Sequence, residues 1–238
     1  MITLTEIHDF AVKNNACFGE LDSFNMAFNS GDIIKAWQIV IWNMKWLNHK
    51  GLTIDKSDIP KDQIINVTSR SDDFGKAFSP FLLGPVRLYD KCFSYSVENA
   101  WQYSKVYPEH VDENNEIKKE YFDWANFGWL SKYSNRYPMG KGAKPLFAYW
   151  NGERLSYTEA KKKIYIPLYT TAVSKIPELK RLFEMYQQLK SENKILYLVD
   201  FDAYNLEPGS FKFNELINED RSFGHGYVVN LILENMEN

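Results

Sequence analysis

The sequence predicts a mostly helical single domain carrying a few short strands, preceded by a helical N-terminal extension. Three observations lead there. Most of the chain carries apolar residues at helical spacing, and only short runs have strand character. An apolar fraction of 45% against 25% charged residues belongs to a chain that builds a packed core. A polar connector over residues 49–75, with Gly51, Pro60 and Ser69-Arg70-Ser71-Asp72-Asp73, separates the first helical part from the rest. The boundary is set there, with an extension over 1–60 and the main domain over 61–238.

Residues 3–15 read as a first helix, with Leu4, Ile7, Phe10 and Ala11 at helical spacing and Thr3 or Thr5 at its cap. Asn29-Ser30-Gly31-Asp32 is a turn signal. Residues 33–48 read as a helix, apolar nearly all round through Ile33, Ala36, Trp37, Val40, Trp42, Met44 and Leu47. Between Ala77 and Pro85 the prolines exclude a central strand or helix. Val86-Arg87-Leu88-Tyr89 and Cys92-Phe93-Ser94-Tyr95 read as a hairpin turning at Asp90-Lys91. Ser96 caps a helix over 97–107, and a further helix is predicted over 116–134. Asn135 to Pro145 is a basic, glycine-bearing loop. Ser156, with Glu159 three residues on, opens a helix over 156–173 with capping-box spacing. Helix 177–193 follows, then Ile195–Asp202 as a strand buried on both faces. The chain ends with a short helix near 211–217, a loop holding Gly224 and Gly226, and a helix over 227–236.

A net charge of −3 provides no global basic field, which argues against broad, sequence-blind nucleic-acid binding while leaving room for a local basic patch. The two cysteines, Cys17 and Cys92, lie far apart and read as free thiols of a reducing compartment. No apolar run approaches the roughly 20 residues that span a bilayer, and Glu6, His8 and Asp9 break any N-terminal signal pattern. A soluble, cytoplasmic protein without a membrane partner is therefore expected. His8, His49 and His110 show no metal-ligand spacing, so no metal and no cofactor is predicted.

Two segments carry chemistry. Ser96-Val97-Glu98-Asn99-Ala100-Trp101-Gln102-Tyr103-Ser104-Lys105 places one acid, Glu98, in the first turn of a helix otherwise rich in aromatic and small residues. A helix N-terminus favours the ionised carboxylate by about 0.3–1 kcal/mol. Lys105, seven residues on, falls two helical turns along the same face. Asp220-Arg221-Ser222-Phe223-Gly224-His225-Gly226 offers an acid, an aromatic ring, a histidine and two glycines in a tight loop. Brought together, they would frame a pocket with a carboxylate on one wall and a backbone-rich loop on the other. Arg136, Lys141 and Lys144 could grip a phosphate. Trp101, Tyr103, Trp129 and Trp150 could stack on a base, although more of them are expected in the core than in a pocket.

On these residues the chain resembles the NADAR (YbiA-like) superfamily. Phe78-Ser79-Pro80-Phe81 is similar to that family's phenylalanine-serine-x-phenylalanine segment, a hairpin follows over 86–95, and Ser96–Gln102 matches its serine-valine-glutamate-x-alanine-aromatic-glutamine helix. Asp220 and Phe223-Gly224-His225-Gly226 resemble its closing acid and tryptophan-glycine-x-glycine loop. The chain departs at Pro80, where the family carries asparagine, and at Phe223, which keeps a stacking face but lacks the tryptophan N–H. The resemblance spans about residues 75–235 and implies an α+β fold, mostly helical with a small sheet.

The resemblance also implies N-glycosidase chemistry: cleavage between a ribose-type anomeric carbon and a base nitrogen, on ribosylaminopyrimidine phosphates or on ADP-ribose attached to guanine in nucleic acid. Glu98 would then stabilise the cationic sugar, with Asp220 or His225 assisting the leaving base. Ser79, Phe81, Trp101, Gln102, Lys105, Arg136, Lys141, Phe223, Gly224 and Gly226 would bind substrate. The expected partner is a nucleotide-like small molecule or ADP-ribosylated nucleic acid. A composition leaning to asparagine, lysine and isoleucine fits a phage or phage-defence setting. The alternative is a non-catalytic module that binds ADP-ribose or a nucleotide on the same fold.

Overall fold

The computed structural model describes residues 39–43, 60–202 and 224–236. In chain order the first half holds β1 (Ile39–Asn43), β2 (Ile64–Asn66), β3 (Val86–Arg87), β4 (Phe93–Ser94), α1 (Val97–Tyr103), β5 (Lys105–Val106) and α2 (Lys119–Trp129). The second half holds β6 (Phe147–Trp150), β7 (Glu153–Leu155), α3 (Tyr157–Ala160), α4 (Ile166–Val173), α5 (Pro177–Ser191), β8 (Leu196–Asp200) and α6 (His225–Asn235). The fold is a mixed α+β domain, mostly helical, with small open sheets. In the described part, β8 lies between β1 and β2, both parallel to it, while β3–β4 and β5–β6–β7 are antiparallel.

All five residues of β8 are buried, as a continuous apolar run ending in one acid should be when both faces are covered. Around it lies the main core, with Tyr169 and Val173 of α4, Leu182 and Tyr186 of α5, and Tyr227 and Leu233 of α6 fully or almost fully buried. α5 has the residue pattern such packing needs. Pro177 opens it at the first helical position, Leu179, Leu182, Tyr186 and Leu189 form its buried stripe, and Asn193 stops it at φ 55°. A second cluster joins α1 and β5 to α2 through Tyr103, Val106, Tyr121 and Trp129. There Gly128 is required by close approach, since a methyl group in its place would run into the Tyr103 ring.

Several expectations are corrected. Ile39–Asn43 is not part of a helix over 33–48 but a strand, with Ile39 opposite Leu196 and Asn43 opposite Asp200. Its run Ile39-Val40-Ile41-Trp42 is made of residue types that favour strands, and pairing with β8 decides the outcome. This strand lies within the segment expected to be a helical extension. The rest of 33–48, the helix at 3–15, the turn at 29–32 and the short helix near 211–217 lie outside the described residues. The connector expected over 49–75 contains β2, whose Ile64 lies opposite Tyr197. The helix expected over 97–107 ends at Tyr103, because Lys105 and Val106 pair with Ala148 and Phe147. The one expected over 116–134 is confined to Lys119–Trp129.

Other readings match. The hairpin holds in shorter form, with Val86 opposite Ser94 and Asp90 at φ 51° in its turn. Ser156 and Glu159 form the capping box. The helix that follows is interrupted by one π turn over Lys161–Tyr165. α6 begins at His225, so His225 and Gly226 belong to its first turn and not to a loop. Among the described residues no helix is long and apolar enough to cross a membrane.

Candidate functional site

Ser96 starts the site by capping α1. Its hydroxyl accepts from the Asn99 N–H at 3.1 Å and lies 2.8 Å from the Ser134 hydroxyl, whose own proton goes to the Phe81 carbonyl. The Glu98 N–H, unsatisfied within the helix, donates to the Pro80 carbonyl at 2.9 Å, which seats α1 against residues 79–81. The Glu98 side chain is buried, at 5% exposure. Its Oε1 accepts from Gln102 Nε2 at 2.9 Å, and Gln102 Oε1 accepts from Lys105 Nζ at 2.7 Å. Burial pushes the Glu98 carboxyl above the usual carboxylate range, while the Gln102 hydrogen bond and the charges of Lys105, Arg136 and His225 pull it back. Burial also lowers the Lys105 amine to about 8. Lys105 reaches this chain from β5 and not from a continuing helix, with Nζ 4.9 Å from the Trp101 ring centre.

These groups face a cavity of about 1260 Å³, larger than the usual range of roughly 300–1,000 Å³ for small-ligand sites. A second wall comes from β8 and α6. Asp200, at the carboxyl end of β8, accepts from the Phe201 N–H at 2.6 Å through Oδ1 and from the Gly226 N–H at 2.8 Å through Oδ2. It thereby satisfies one of the free amides of the α6 N-terminus. His225 Nε2 donates to the Val67 carbonyl at 2.7 Å, and Nδ1 lies 3.3 Å from Asp200 Oδ2. Gly224 fits because a Cβ there would stand 2.5 Å from Asp200 Oδ2.

The third wall is the π turn and its aromatic neighbours. Lys161, only 1% exposed, and Tyr165 both line the cavity. Lys161 Nζ lies 5.0 Å from the Tyr157 ring, and Trp101 contacts Tyr157 and Tyr165 at ring separations of 5.8 and 5.4 Å. The fourth wall is the loop after α2. Asn99 donates through Nδ2 to the Ser131 and Tyr133 carbonyls and accepts from the Asn135 N–H, all at 2.9–3.1 Å. Farther along, Arg136 pairs with Asp202 at 3.2 Å.

The structure therefore brings Ser79, Phe81, Glu98, Trp101 and Gln102 to one cavity, together with Lys105, Arg136, Lys141, Gly224 and His225. Asp220 and Phe223 lie outside the described residues. Gly226 does not line the cavity; its N–H is taken by Asp200 and does not face a phosphate. His225 lines it, but both ring nitrogens are directed at protein acceptors, so its place is that of a positioning group between β8, α6 and Val67. Lys144 does not line the cavity, and Tyr103, Trp129 and Trp150 pack elsewhere. Asp200, Asp202, Lys161, Tyr165 and Arg70 were missed by reading the sequence. A signal existed for Asp200, an acid at the carboxyl end of a buried strand, the edge where parallel sheets place ligands.

Chemically the arrangement offers one shielded carboxyl, an aromatic face for a flat ring, and Lys105, Arg136, Lys141 and Lys161 for negative charge. Among the described residues no three His, Cys, Asp or Glu side chains are grouped to hold a metal ion. The fold and site are those of a small α+β protein with a large cavity lined by cations, carboxylates and aromatic rings. The chain belongs to a family of unknown function (DUF6939), whose model matches residues 48–208. No curated protein and no solved structure matches it.

Proposed function

We propose that the protein is an N-glycosidase of the NADAR (YbiA-like) type, hydrolysing the bond between an ADP-ribose or phosphoribose and a nitrogenous base, with guanine ADP-ribosylated in DNA as one substrate. The observation that carries this reading is the buried Glu98 carboxyl in a cavity that also offers the Trp101 ring and several cations. In the reaction the bond between C1′ and the base nitrogen breaks and its electron pair leaves with the base. Glu98 offsets the charge developing on the sugar and receives a proton from the water that attacks C1′. The leaving nitrogen takes a proton from solvent and Glu98 returns to solvent the one it received, so one water is consumed for each base released. Lys105, Arg136 and Lys141 hold the phosphates, and Trp101 stacks on the base. A setting in phage or phage defence suits such a reversal of DNA modification.

One observation favours the second reading, a non-catalytic module that binds ADP-ribose or a nucleotide. His225 has both ring nitrogens engaged with protein groups, which leaves it no open position toward a leaving base. Incubation with guanine-ADP-ribosylated DNA and, separately, with a ribosylaminopyrimidine phosphate decides between them, following released base by mass spectrometry beside Glu98→Gln. Release by the wild type alone supports the glycosidase. Ligand protection without release, equal in both proteins, supports the binding module.

A further inference from the structure

We infer that the loop over residues 131–145 is a docking surface for single-stranded nucleic acid, which leads the strand to the mouth of the cavity. The inference deepens the proposed function by naming the carrier of the reacting base. The loop holds Lys132, Arg136, Lys141 and Lys144 and not one carboxylate, in a chain whose net charge is −3. Of the four, only Arg136 has a carboxylate partner among the described residues. Lys132, Lys141 and Lys144 are exposed. Such a local field suits a polyanion and not an acidic surface of the protein itself.

Charge alone would suit any polyanion; the aromatic side chains select nucleic acid. Tyr133 is 87% exposed and Tyr137 48%, each beside a cation in sequence, and the Arg136 guanidinium lies 5.6 Å from the Tyr137 ring. Interleaved rings and cations are what an unpaired strand needs, since every base has a face to stack and every linkage a charge to neutralise. Bases stacked inside a duplex would not reach these rings.

The surface is also fixed and continuous with the site. Asn99, the neighbour of Glu98, binds the Ser131 and Tyr133 carbonyls, and the Ser134 hydroxyl binds the Phe81 carbonyl at 2.7 Å. Arg136, Tyr137 and Lys141 then form one lip of the cavity, so a strand held at Tyr133 runs toward it. Gly140 and Gly142, at φ 90° and 95° with open space around them, let the backbone turn beneath a ligand.

The test is fluorescence anisotropy of the full chain with a labelled, unmodified oligodeoxythymidylate, with an oligouridylate and a duplex beside it. It needs no turnover, so the glycosidase reading can fail while this one holds, and the reverse. Single-strand binding should weaken with salt at a slope of about −0.7 per neutralised phosphate. Tyr133→Ala should weaken it by roughly five-fold or more, and Tyr133→Trp should restore it. Lys132→Ala with Lys144→Ala should flatten the salt slope while thermal melting stays unchanged, both residues being exposed. Duplex should bind less well than either single strand, and a preference between DNA and RNA names the carrier. No binding at low salt would overturn the inference. So would binding to which Tyr133→Ala makes no difference and for which heparin competes equally.

Discussion

Gln102 joins Glu98 to Lys105: its amide nitrogen donates to the carboxyl at 2.9 Å while its amide oxygen accepts from the ammonium at 2.7 Å. Acid and base of the cavity are thus coupled through one neutral side chain. Glutamine suits this place because a single group supplies a donor to one neighbour and an acceptor to the other.

The first prediction concerns Glu98→Gln. Because the folded carboxyl lies above its unfolded value, its contribution to stability is full at acid pH and is lost as pH rises through the folded value. Gln keeps an oxygen for Gln102 and removes the buried charge. Turnover on a cleavable substrate should fall by about 10²–10⁴-fold. The variant should melt no lower than wild type at pH 7, gaining about 2–4 °C for each 1 kcal/mol relieved. The gain should be larger at pH 7 than at pH 4. A variant that loses both turnover and several degrees at pH 7 would show that Glu98 is needed for folding instead.

The second prediction is a loss of anion affinity in alkali. Lys105 is lowered to about 8, so its ammonium fades from the cavity above that pH, well before an exposed lysine would titrate. Affinity for a nucleotide diphosphate should therefore be steady below pH 7 and decline through pH 8–9. Lys105→Arg should move that decline to higher pH, since guanidinium stays charged. For stability the sign is opposite: the unfolded lysine holds its proton more tightly, so this contribution rises with pH between about 8 and the unfolded value and is constant below. Calorimetric titration across pH, with melting curves in the same buffers, separates the two trends.

The third prediction concerns Gly224→Ala. The added methyl would stand 2.5 Å from Asp200 Oδ2 and 3.1 Å from the Asp202 carbonyl. Asp200 must then shift and release the Gly226 N–H at the start of α6. A loss of about 1–3 kcal/mol is expected, since a buried donor is left unpaired. Denaturant unfolding measures it, and an unchanged midpoint would mean that α6 does not depend on Asp200.

Reading from sequence reached the α1 cap, Glu98 and the capping box at Ser156, because short-range chemistry decides each of them. It reached α5 through the stripe Leu179, Leu182, Tyr186 and Leu189, and β8 through its unbroken apolar run. It failed at Ile39–Asn43, where the residue types allow helix or strand and a partner more than 150 residues away settles the matter. The β6–β7 hairpin was overlooked although Asn151 and Gly152, at φ 46° and 86°, are the residues such a turn prefers. Lys161 had no separate signal within Lys161-Lys162-Lys163; the π turn and its packing determine which of the three is buried. The candidate site was legible in the helix of Glu98 and in the short motifs that hold Ser79, Phe81, Arg136, Lys141, Gly224 and His225, and opaque at Asp200, Asp202, Lys161 and Tyr165, which only the packing of distant elements brings to the cavity.

The last prediction follows from Asn99. This side chain is fully buried and makes three hydrogen bonds to the backbone of Ser131, Tyr133 and Asn135. Asn99→Ala leaves the Ser131 carbonyl and the Asn135 N–H without their partner, leaves the Tyr133 carbonyl with the Ser131 hydroxyl alone, and frees the start of the loop that carries Arg136 and Lys141. A destabilisation of about 1–3 kcal/mol is expected. Asn99→Asp is the sharper variant. It retains an acceptor for the Asn135 N–H but sets a carboxylate against the Ser131 and Tyr133 carbonyls, so it should be at least as damaging despite its near-identical shape. Amide hydrogen exchange should quicken over residues 131–137 in both variants while α5 and β8 stay protected, because the Asn99 side chain bonds the backbone of that loop and neither of those elements. If exchange quickened uniformly across the chain, Asn99 would be a general support of the fold and not the tether that holds this lip beside Glu98.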